Sequence, residues 1–204
     1  MTELNQLKQD VMEIGRWVES HNWCPATSGN LSARIDDQRI LITVSGNAKG
    51  ALTEDDLMEV NSQGDPYNSD KRPSAETLLH ALIYGHMPDA GYVIHTHSVY
   101  GTVFSRVIWS GDIRFNNYEM QKAFAGVTSH EQEIVVPVIP NSQNMVELAK
   151  DVDAYLRAGP VCPAFILAGH GIYSWGATVA DAKRHSEAME FLMECEYKSC
   201  LLLK

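Results

Sequence analysis

The sequence predicts a single α/β domain in which helices are layered on one β-sheet. Two features of the chain support this fold class. Segments with the 3.6-residue hydrophobic period of helices alternate with short apolar runs typical of strands. The 204 residues also contain no internal repeat, low-complexity tract or linker, and a chain of this length commonly forms one large domain. We therefore expect one domain over residues 1–204.

The N-terminal part of the chain combines one helix with a β-rich stretch. Apolar residues recur at steps of three and four through residues 3–20, which predicts an amphipathic helix. Two short β-type runs predict strands at 31–35 and 39–44, and the polar residues between them predict a hairpin. A capping sequence at 53–56 precedes a further strand predicted at 57–60.

The rest of the chain alternates helices and strands. Ser74 is a residue type that caps helices, and it predicts a helix running to about residue 86. A capping sequence at Thr178 predicts a final helix that reaches residue 203. Further strands are predicted at 91–97, 134–139 and 164–168, and one further helix at 142–156.

The composition excludes several classes of protein. A content of 45% hydrophobic and 21% charged residues is that of a globular protein and excludes a disordered or collagenous chain. Sixteen Lys and Arg against twenty-six Asp and Glu give a formal charge of −10, so the basic surface of a nucleic-acid or membrane binder is missing. An anionic small substrate stays open, since oriented backbone amides outweigh net charge at short range.

Several features point to the cytoplasm. The polar N-terminus has no signal-peptide pattern, and no apolar run approaches the ~20 residues that cross a bilayer. The four cysteines show no paired spacing. We therefore expect a cytoplasmic protein with reduced thiols.

Three histidines form a candidate metal site. His95 and His97 end the strand predicted at 91–97, and residues two apart on a strand point to the same face, so both imidazoles can converge on one ion. His170 lies between two glycines at the end of another predicted strand. Three nitrogen ligands with one open position are typical of catalytic zinc, although other divalent metals accept the same ligands. We expect no metal-binding role for the remaining histidines, which are His21, His80, His86, His130 and His185.

Three segments have the residue types of anion-binding turns. Residues 27–30, 43–46 and 73–76 each combine hydroxyl side chains with a turn or a helix start, where free backbone amides favour phosphate. Each segment alone is more typical of an ordinary turn, so only their convergence in space makes a phosphate site. Glu76 and Glu119 are candidate bases, because a carboxylate near a metal can take a proton from the carbon beside a metal-bound carbonyl.

Together, in this order, these pieces resemble the class II aldolase/adducin family over nearly the whole chain. The matching pieces are Ser28-Gly29-Asn30, Ser45-Gly46, Pro73-Ser74-Ala75-Glu76, His95-Thr96-His97 and Gly169-His170-Gly171. The resemblance implies a three-layer α/β/α sandwich around a mainly antiparallel central sheet. It also implies one zinc ion per subunit held by the three histidines, and a homo-oligomer, often a tetramer, with sites near subunit interfaces.

Within the family, the chain is most similar to lyases that dehydrate a phosphorylated ketose with a methylthio group. On that resemblance, the phosphate-binding residues are Asn30, Ser45, Gly46 and Ser74. Glu119 matches the general acid/base of these dehydratases. Glu76 matches the base of the family's aldolases, so its role stays open between base, metal ligand and orienting group.

Two other functions are compatible with the resemblance. A sugar-phosphate aldolase or epimerase uses the same kind of centre, but aldolases of the family usually carry a second serine where this chain has Ala75. A non-catalytic binding module like the adducin head shares the fold but lacks the metal histidines. The animal dehydratases carry a cysteine within the stretch matched by residues 74–77, and this chain has none there.

Overall fold

Eight β-strands form one sheet in the computed structural model, which describes residues 3–108 and 111–202. The strands are β1 (Asn30–Arg34), β2 (Arg39–Thr43), β3 (Leu57–Asn61), β4 (Tyr92–Thr96), β5 (Gly111–Phe115), β6 (Ile134–Ile139), β7 (Ala164–Leu167) and β8 (Gly171–Gly176). Their order across the sheet is β3-β2-β1-β4-β8-β7-β6-β5. Neighbouring strands are antiparallel except β6 and β7. The mainly antiparallel sheet implied by the resemblance is therefore confirmed.

Helices cover both faces of the sheet. They are α1 (Glu3–Ser20), α2 (Thr77–His86), α3 (Val99–Ile108), α4 (Met145–Arg157) and α5 (Val179–Leu202). Helices α2 and α4 pack on one face, whereas α1, α3 and α5 pack on the other. The alternation of strand side chains produces both cores: Val93 packs with α2 and α4, and its neighbour Ile94 packs with α1. This arrangement is a three-layer α/β/α sandwich.

Most predicted elements lie close to their expected positions. The first helix spans the predicted residues, and β1 and β2 form the expected hairpin, in which Ser32 pairs with Ile42. Helix α2 begins at Thr77 rather than directly after Ser74, because the Ser74 hydroxyl accepts a hydrogen bond from the Glu76 amide in a turn that precedes the helix. The last helix is described to Leu202, and residue 203 of the prediction lies outside the described residues.

Among the α-helices and strands named above, α3, β5 and β8 were not predicted from the sequence. Strand β8 is buried along its whole length, so it lacks the polar-apolar alternation that marks a half-buried strand. Helix α3 exposes Val99, Val103 and Val107 to solvent, so its apolar residues are spread beyond one stripe. Strand β5 lies at the edge of the sheet and has a mostly exposed, charged sequence.

The contact between β4 and β8 positions the histidines. A β-carbon added to Gly171 would lie 2.0 Å from the Thr96 carbonyl oxygen, so only glycine permits β8 to start this close to the end of β4. Gly169, in the turn between β7 and β8, has a φ of +64°, which also favours glycine. The two glycines place His170 beside His95 and His97.

Within the described part of the chain, no helix has the length and apolar character needed to span a membrane.

Candidate metal centre

Four side chains converge at the ends of β4 and β8 and at the start of α2. The Nε2 atom of His97 lies 2.9 Å from Nε2 of His95 and 3.1 Å from Nε2 of His170. An oxygen of Glu76 lies 2.9 Å from Nε2 of His170 and 3.8 Å from Nε2 of His95. One ligand atom from each of the four residues lies within 4.8 Å of the others. The structure thus brings the three predicted histidines together and adds Glu76.

The hydrogen-bonding partners of His95 show how its ring is protonated. Its Nδ1 atom lies 3.0 Å from the carbonyl oxygen of Ile172, which can only accept, so Nδ1 carries the proton. The ring is completely buried and stacks on Tyr173 at 3.9 Å between centroids. Burial lowers the pKa of His95 well below its ordinary value. The free electron pair of its Nε2 atom therefore faces the other ligand atoms.

The donor set fits a divalent cation. Burial also lowers the pKa of His97, to about 4, so both rings are neutral at pH 7, and their Nε2 atoms lie 2.9 Å apart. Two nitrogen atoms this close need a proton or a cation between them. Neutral imidazoles with a carboxylate form a ligand set used by catalytic zinc and by several other transition metals.

Glu76 supplies the negative charge of the centre. Burial opposes its ionisation, but hydrogen bonds from His170 and Asn30 outweigh that effect and hold the pKa of Glu76 below its ordinary value. The Asn30 amide nitrogen donates to the other Glu76 oxygen at 2.5 Å. Glu76 is therefore an ionised carboxylate with both oxygens engaged.

A chain of buried hydrogen bonds extends from Glu76 into the core. Asn30 donates through its nitrogen to Glu76, so its oxygen must accept from Nε2 of His80, 2.5 Å away. The Nδ1 atom of His80 then accepts from the Ser32 hydroxyl at 2.7 Å, and Ser32 in turn lies 2.9 Å from the Tyr84 hydroxyl. Burial lowers the pKa of His80 to about 4, which keeps this ring neutral. His80 thus supports the centre without contacting it.

The sequence offered one signal for this role of His80. It lies four residues after Glu76, and residues at that spacing share one face of a helix. A histidine within a predicted helix is nevertheless more typical of the core than of a functional site.

Glu190 is another buried residue that sequence reasoning missed. It lies on α5, where burial raises the pKa of its carboxyl to about 7. One of its oxygens accepts a hydrogen bond at 3.0 Å from the hydroxyl of Thr96, the residue between His95 and His97. Glu190 therefore links the end of β4 to helix α5 through this hydrogen bond.

The predicted phosphate residues line one cavity beside the metal centre. Its volume is about 130 Å³, and Glu76 and His97 form part of its wall. The predicted members of this wall are Asn30, Ser45, Gly46 and Ser74. The Ser28 hydroxyl also faces this region, and its oxygen is buried without a hydrogen-bond partner among the described residues. The three segments with the residue types of anion-binding turns therefore meet in space.

Glu119 lies elsewhere on the subunit. It begins a 3-10 helix (Glu119–Ala123), and its side chain is 71% exposed. It pairs with Lys122 and, at 3.6 Å, with His130. The hydrogen bond from Lys122 lowers the pKa of Glu119. Within one chain, the described residues of the centre and of the cavity wall do not include Glu119.

Comparisons with known proteins agree with this architecture. Residues 9–197 match the family model described as Class II Aldolase and Adducin N-terminal domain. A relative, the methylthioribulose-1-phosphate dehydratase of Pseudomonas aeruginosa, is 48% identical over 193 residues, which cover 95% of this chain and 94% of that protein.

Solved structures are similar in fold. YgbL of Klebsiella pneumoniae, described as a putative aldolase/epimerase/decarboxylase, superposes with a TM-score of 0.80 and 26% identity over 97% of this chain and 91% of its own. An L-fuculose 1-phosphate aldolase superposes with a TM-score of 0.80 and 22% identity over 100% of this chain and 90% of its own. The second likeness concerns the fold alone.

Proposed function

This chain belongs to the class II aldolase and adducin family, and we propose that it is a zinc-dependent methylthioribulose-1-phosphate dehydratase. This hydro-lyase removes water from 5-methylthioribulose 1-phosphate and yields 2,3-diketo-5-methylthiopentyl 1-phosphate, a step of methionine salvage. The convergence of the histidines and Glu76 beside a hydroxyl-lined cavity carries the proposal. The name of the relative at 48% identity supplies the substrate.

In this proposal, His95, His97 and His170 hold one zinc ion per subunit. When bound, the ion supplies Lewis-acid stabilisation of the negative charge that develops at the C2 carbonyl oxygen. The hydrogen bond from His95 to the Ile172 carbonyl fixes the orientation of that ring and its free electron pair. Asn30, Ser45, Gly46 and Ser74 hold the phosphate group in the adjacent cavity.

The two carboxylates have different roles in this proposal. Glu119 removes the proton from C3, and the same carboxyl group then protonates the C4 hydroxyl, which leaves as water. The resulting enol ketonises to the diketone. Glu76, which accepts a hydrogen bond from Asn30 and lies beside the Nε2 atom of His170, orients the centre and balances its positive charge.

Glu119 reaches a centre only from a neighbouring subunit in this scheme. Its surroundings support an interface: it borders an apolar surface depression with Tyr118, Met120, Ala123 and Phe191. Helix α3, which starts two residues after His97, exposes a stripe of valines at Val99, Val103 and Val107. We propose that a second copy of this chain covers these surfaces in a homo-oligomer, a tetramer as the resemblance implies.

Product analysis tests the proposed reaction. Purified protein incubated with 5-methylthioribulose 1-phosphate is expected to form a product lighter by one water, detected by mass spectrometry. Formation of a triose phosphate would reject the dehydratase in favour of an aldolase at the same centre. Zinc analysis distinguishes the third alternative, because a binding module without the enzyme's metal would contain no stoichiometric zinc.

The cysteines support a cytoplasmic location. Cys24, Cys162, Cys195 and Cys200 are all free thiols, and Cys24 and Cys162 are buried. Free thiols persist in a reducing compartment, and we propose the cytoplasm for that reason.

A further inference from the structure

The cavity proposed for phosphate has no positively charged side chain in its described wall. A phosphate monoester carries a charge of roughly −1.5 to −2 at pH 7. The described residues that line the cavity include no lysine or arginine, and they include the carboxyl group of Glu76. Apart from the proposed zinc ion, the wall therefore offers a dianion hydroxyl groups and amides but no cationic side chain.

Lys49 lies directly behind this wall. It starts a short 3-10 helix (Lys49–Ala51), and its side chain is only 1% exposed. Its ammonium group donates to the carbonyl oxygen of Thr27 at 3.0 Å and to that of Asn47 at 2.8 Å. Thr27 lines the cavity, and Asn47 directly follows Gly46, which lines it too. The cation thus joins the two loops that supply most of the cavity wall.

The position of Lys49 is unusual for a lysine. Fully buried lysines are rare unless they are paired, and both observed partners of this ammonium are neutral carbonyl groups. Among the described residues it makes no ion pair with a carboxylate. Its two hydrogen bonds leave one N–H for a further acceptor. Burial lowers the pKa of Lys49, and the nearby groups Cys24, Glu19 and Glu76 oppose that effect.

The loop that Lys49 holds is strained. Ala26 and Thr27 have φ values of 52° and 65°, in the left-handed region that residues with a side chain avoid. Such conformations persist only where surrounding contacts hold them, and they concentrate at functional sites. The bond from Lys49 to the Thr27 carbonyl is one such contact.

We propose that Lys49 is the cation of the phosphate site: from behind the wall, it offsets the charge of the bound phosphate and holds the two loops that contact it. This inference rests on the phosphate site of the proposed function and adds a specificity-determining residue to it. A phosphate in the cavity favours the charged ammonium, so binding and protonation of Lys49 reinforce each other.

Calorimetric titration of zinc-loaded protein with inorganic phosphate tests this role. Lys49→Met removes the charge at similar length, and Lys49→Gln keeps a donor for a carbonyl group without the charge. Both variants are expected to bind phosphate about 10- to 30-fold more weakly, the effect of one charge a few ångströms beyond contact in a medium of intermediate dielectric constant. Lys49→Arg is expected to retain binding within a few-fold.

Lys71 provides a matched control. Its ammonium also donates to two main-chain carbonyl groups, those of Asp55 at 2.5 Å and Leu57 at 3.1 Å, but on an exposed surface away from the cavity wall. Lys71→Met is expected to bind phosphate like the wild type. Circular dichroism and zinc content show that each variant is folded and loaded.

Two results would overturn the proposal. One is a folded Lys49→Gln or Lys49→Met variant that binds phosphate as tightly as the wild type, and the other is equal weakening by Lys71→Met. If Lys49→Met does not fold, the comparison of Lys49→Gln with Lys49→Arg tests the proposal. An equal loss of phosphate affinity in both variants would show that the charge of residue 49 does not determine phosphate binding. Because phosphate binding is measured without turnover, a protein that binds phosphate through Lys49 but does not dehydrate the ketose would refute only the proposed reaction.

Discussion

The Nε2 atom of His80 lies 2.5 Å from the side-chain oxygen of Asn30, and this contact determines which end of the Asn30 amide faces Glu76. Since the oxygen of Asn30 is occupied by His80, its nitrogen is directed to the Glu76 carboxylate. A rotated amide would place two acceptors against each other beside the metal ligands. His80, which is fully buried, therefore determines that the donor end of the Asn30 amide faces Glu76.

Replacing His80 tests this control. His80→Leu removes the donor and leaves the buried side-chain oxygen of Asn30 without its partner, which costs about 1–3 kcal/mol. We expect turnover to fall about 10- to 100-fold by the same reasoning, while zinc content is retained. His80→Gln, which can donate to Asn30, is expected to recover part of the loss. Steady-state kinetics and zinc analysis measure both effects, and full activity of His80→Leu would contradict the mechanism.

Substitution of the two carboxylates separates their roles. Glu119→Gln is expected to keep zinc and stability, since the side chain is exposed, but to lower kcat about 10²- to 10⁴-fold by removing the proton acceptor. Glu76→Gln is expected to weaken zinc binding, because it removes the negative charge of the centre. Kinetics and zinc titration on both variants provide the comparison. If Glu76→Gln retains zinc and loses more turnover than Glu119→Gln, Glu76 is the base.

Mixed oligomers test whether Glu119 acts across an interface. His97→Ala subunits lack a metal ligand and Glu119→Gln subunits lack the proposed acid/base, so each homo-oligomer is expected to be inactive. Refolding the two together would create sites with an intact centre from one subunit and Glu119 from its neighbour. Recovered activity, up to about a quarter of the wild-type value for random pairing, supports a shared site. If activity stays at background in verified mixed oligomers, Glu119 does not act in the site of a neighbouring subunit.

Glu190 is expected to make stability depend on pH. Burial raises the pKa of its carboxyl from 4.5 to about 7, so the folded state binds more protons than the unfolded state between these values. Its contribution is complete below about pH 4.5 and is lost as the pH rises through about 7. The full loss is about 3 kcal/mol at 1.36 kcal/mol per pKa unit.

Urea unfolding of Glu190→Gln and wild type, both in chelator, measures this effect. The neutral variant is expected to gain stability relative to the wild type between pH 5 and pH 8. Parallel pH profiles of the two proteins would show that the folded state does not protonate Glu190 preferentially.

The close approach of β8 to β4 makes a prediction about glycine. Gly171→Ala would place a β-carbon 2.0 Å from the Thr96 carbonyl oxygen, so the strands must separate and zinc affinity is expected to fall. Gly85→Ala, in α2, meets no atom within 4 Å and is expected to stabilise the protein by up to about 1 kcal/mol. Thermal unfolding and zinc titration compare the two. Wild-type zinc affinity in Gly171→Ala would show that the contact does not position His170.

Local patterns predicted the parts of the site that depend on local geometry. His95 and His97 are two apart at the end of a predicted strand, so their shared face followed from the strand period, and flanking glycines marked His170. The fold class followed from the alternation of helices and strands. The mainly antiparallel order came from the family resemblance, because strand pairing between distant segments leaves no local pattern.

The residues that were missed act through distant partners. Lys49, His80 and Glu190 look in the sequence like a loop lysine, a helix histidine and a helix glutamate. Their importance arises from burial against segments 22 to 94 residues away, such as Thr27, Asn30 and Thr96. Secondary-structure propensities and hydrophobic periodicity do not contain that information, since they describe neighbours along the chain.

The position of β4 in the sheet has a consequence for biosynthesis. β4 is hydrogen-bonded to β1 on one side and to β8 on the other, so the ligand atoms meet only after these distant segments have paired. A nascent polypeptide still lacking Gly171–Gly176 can present His95 and His97 but not the complete set of donors. The complete donor set is thus assembled only after residues 171–176 have been synthesised, and products truncated before them are left without the centre.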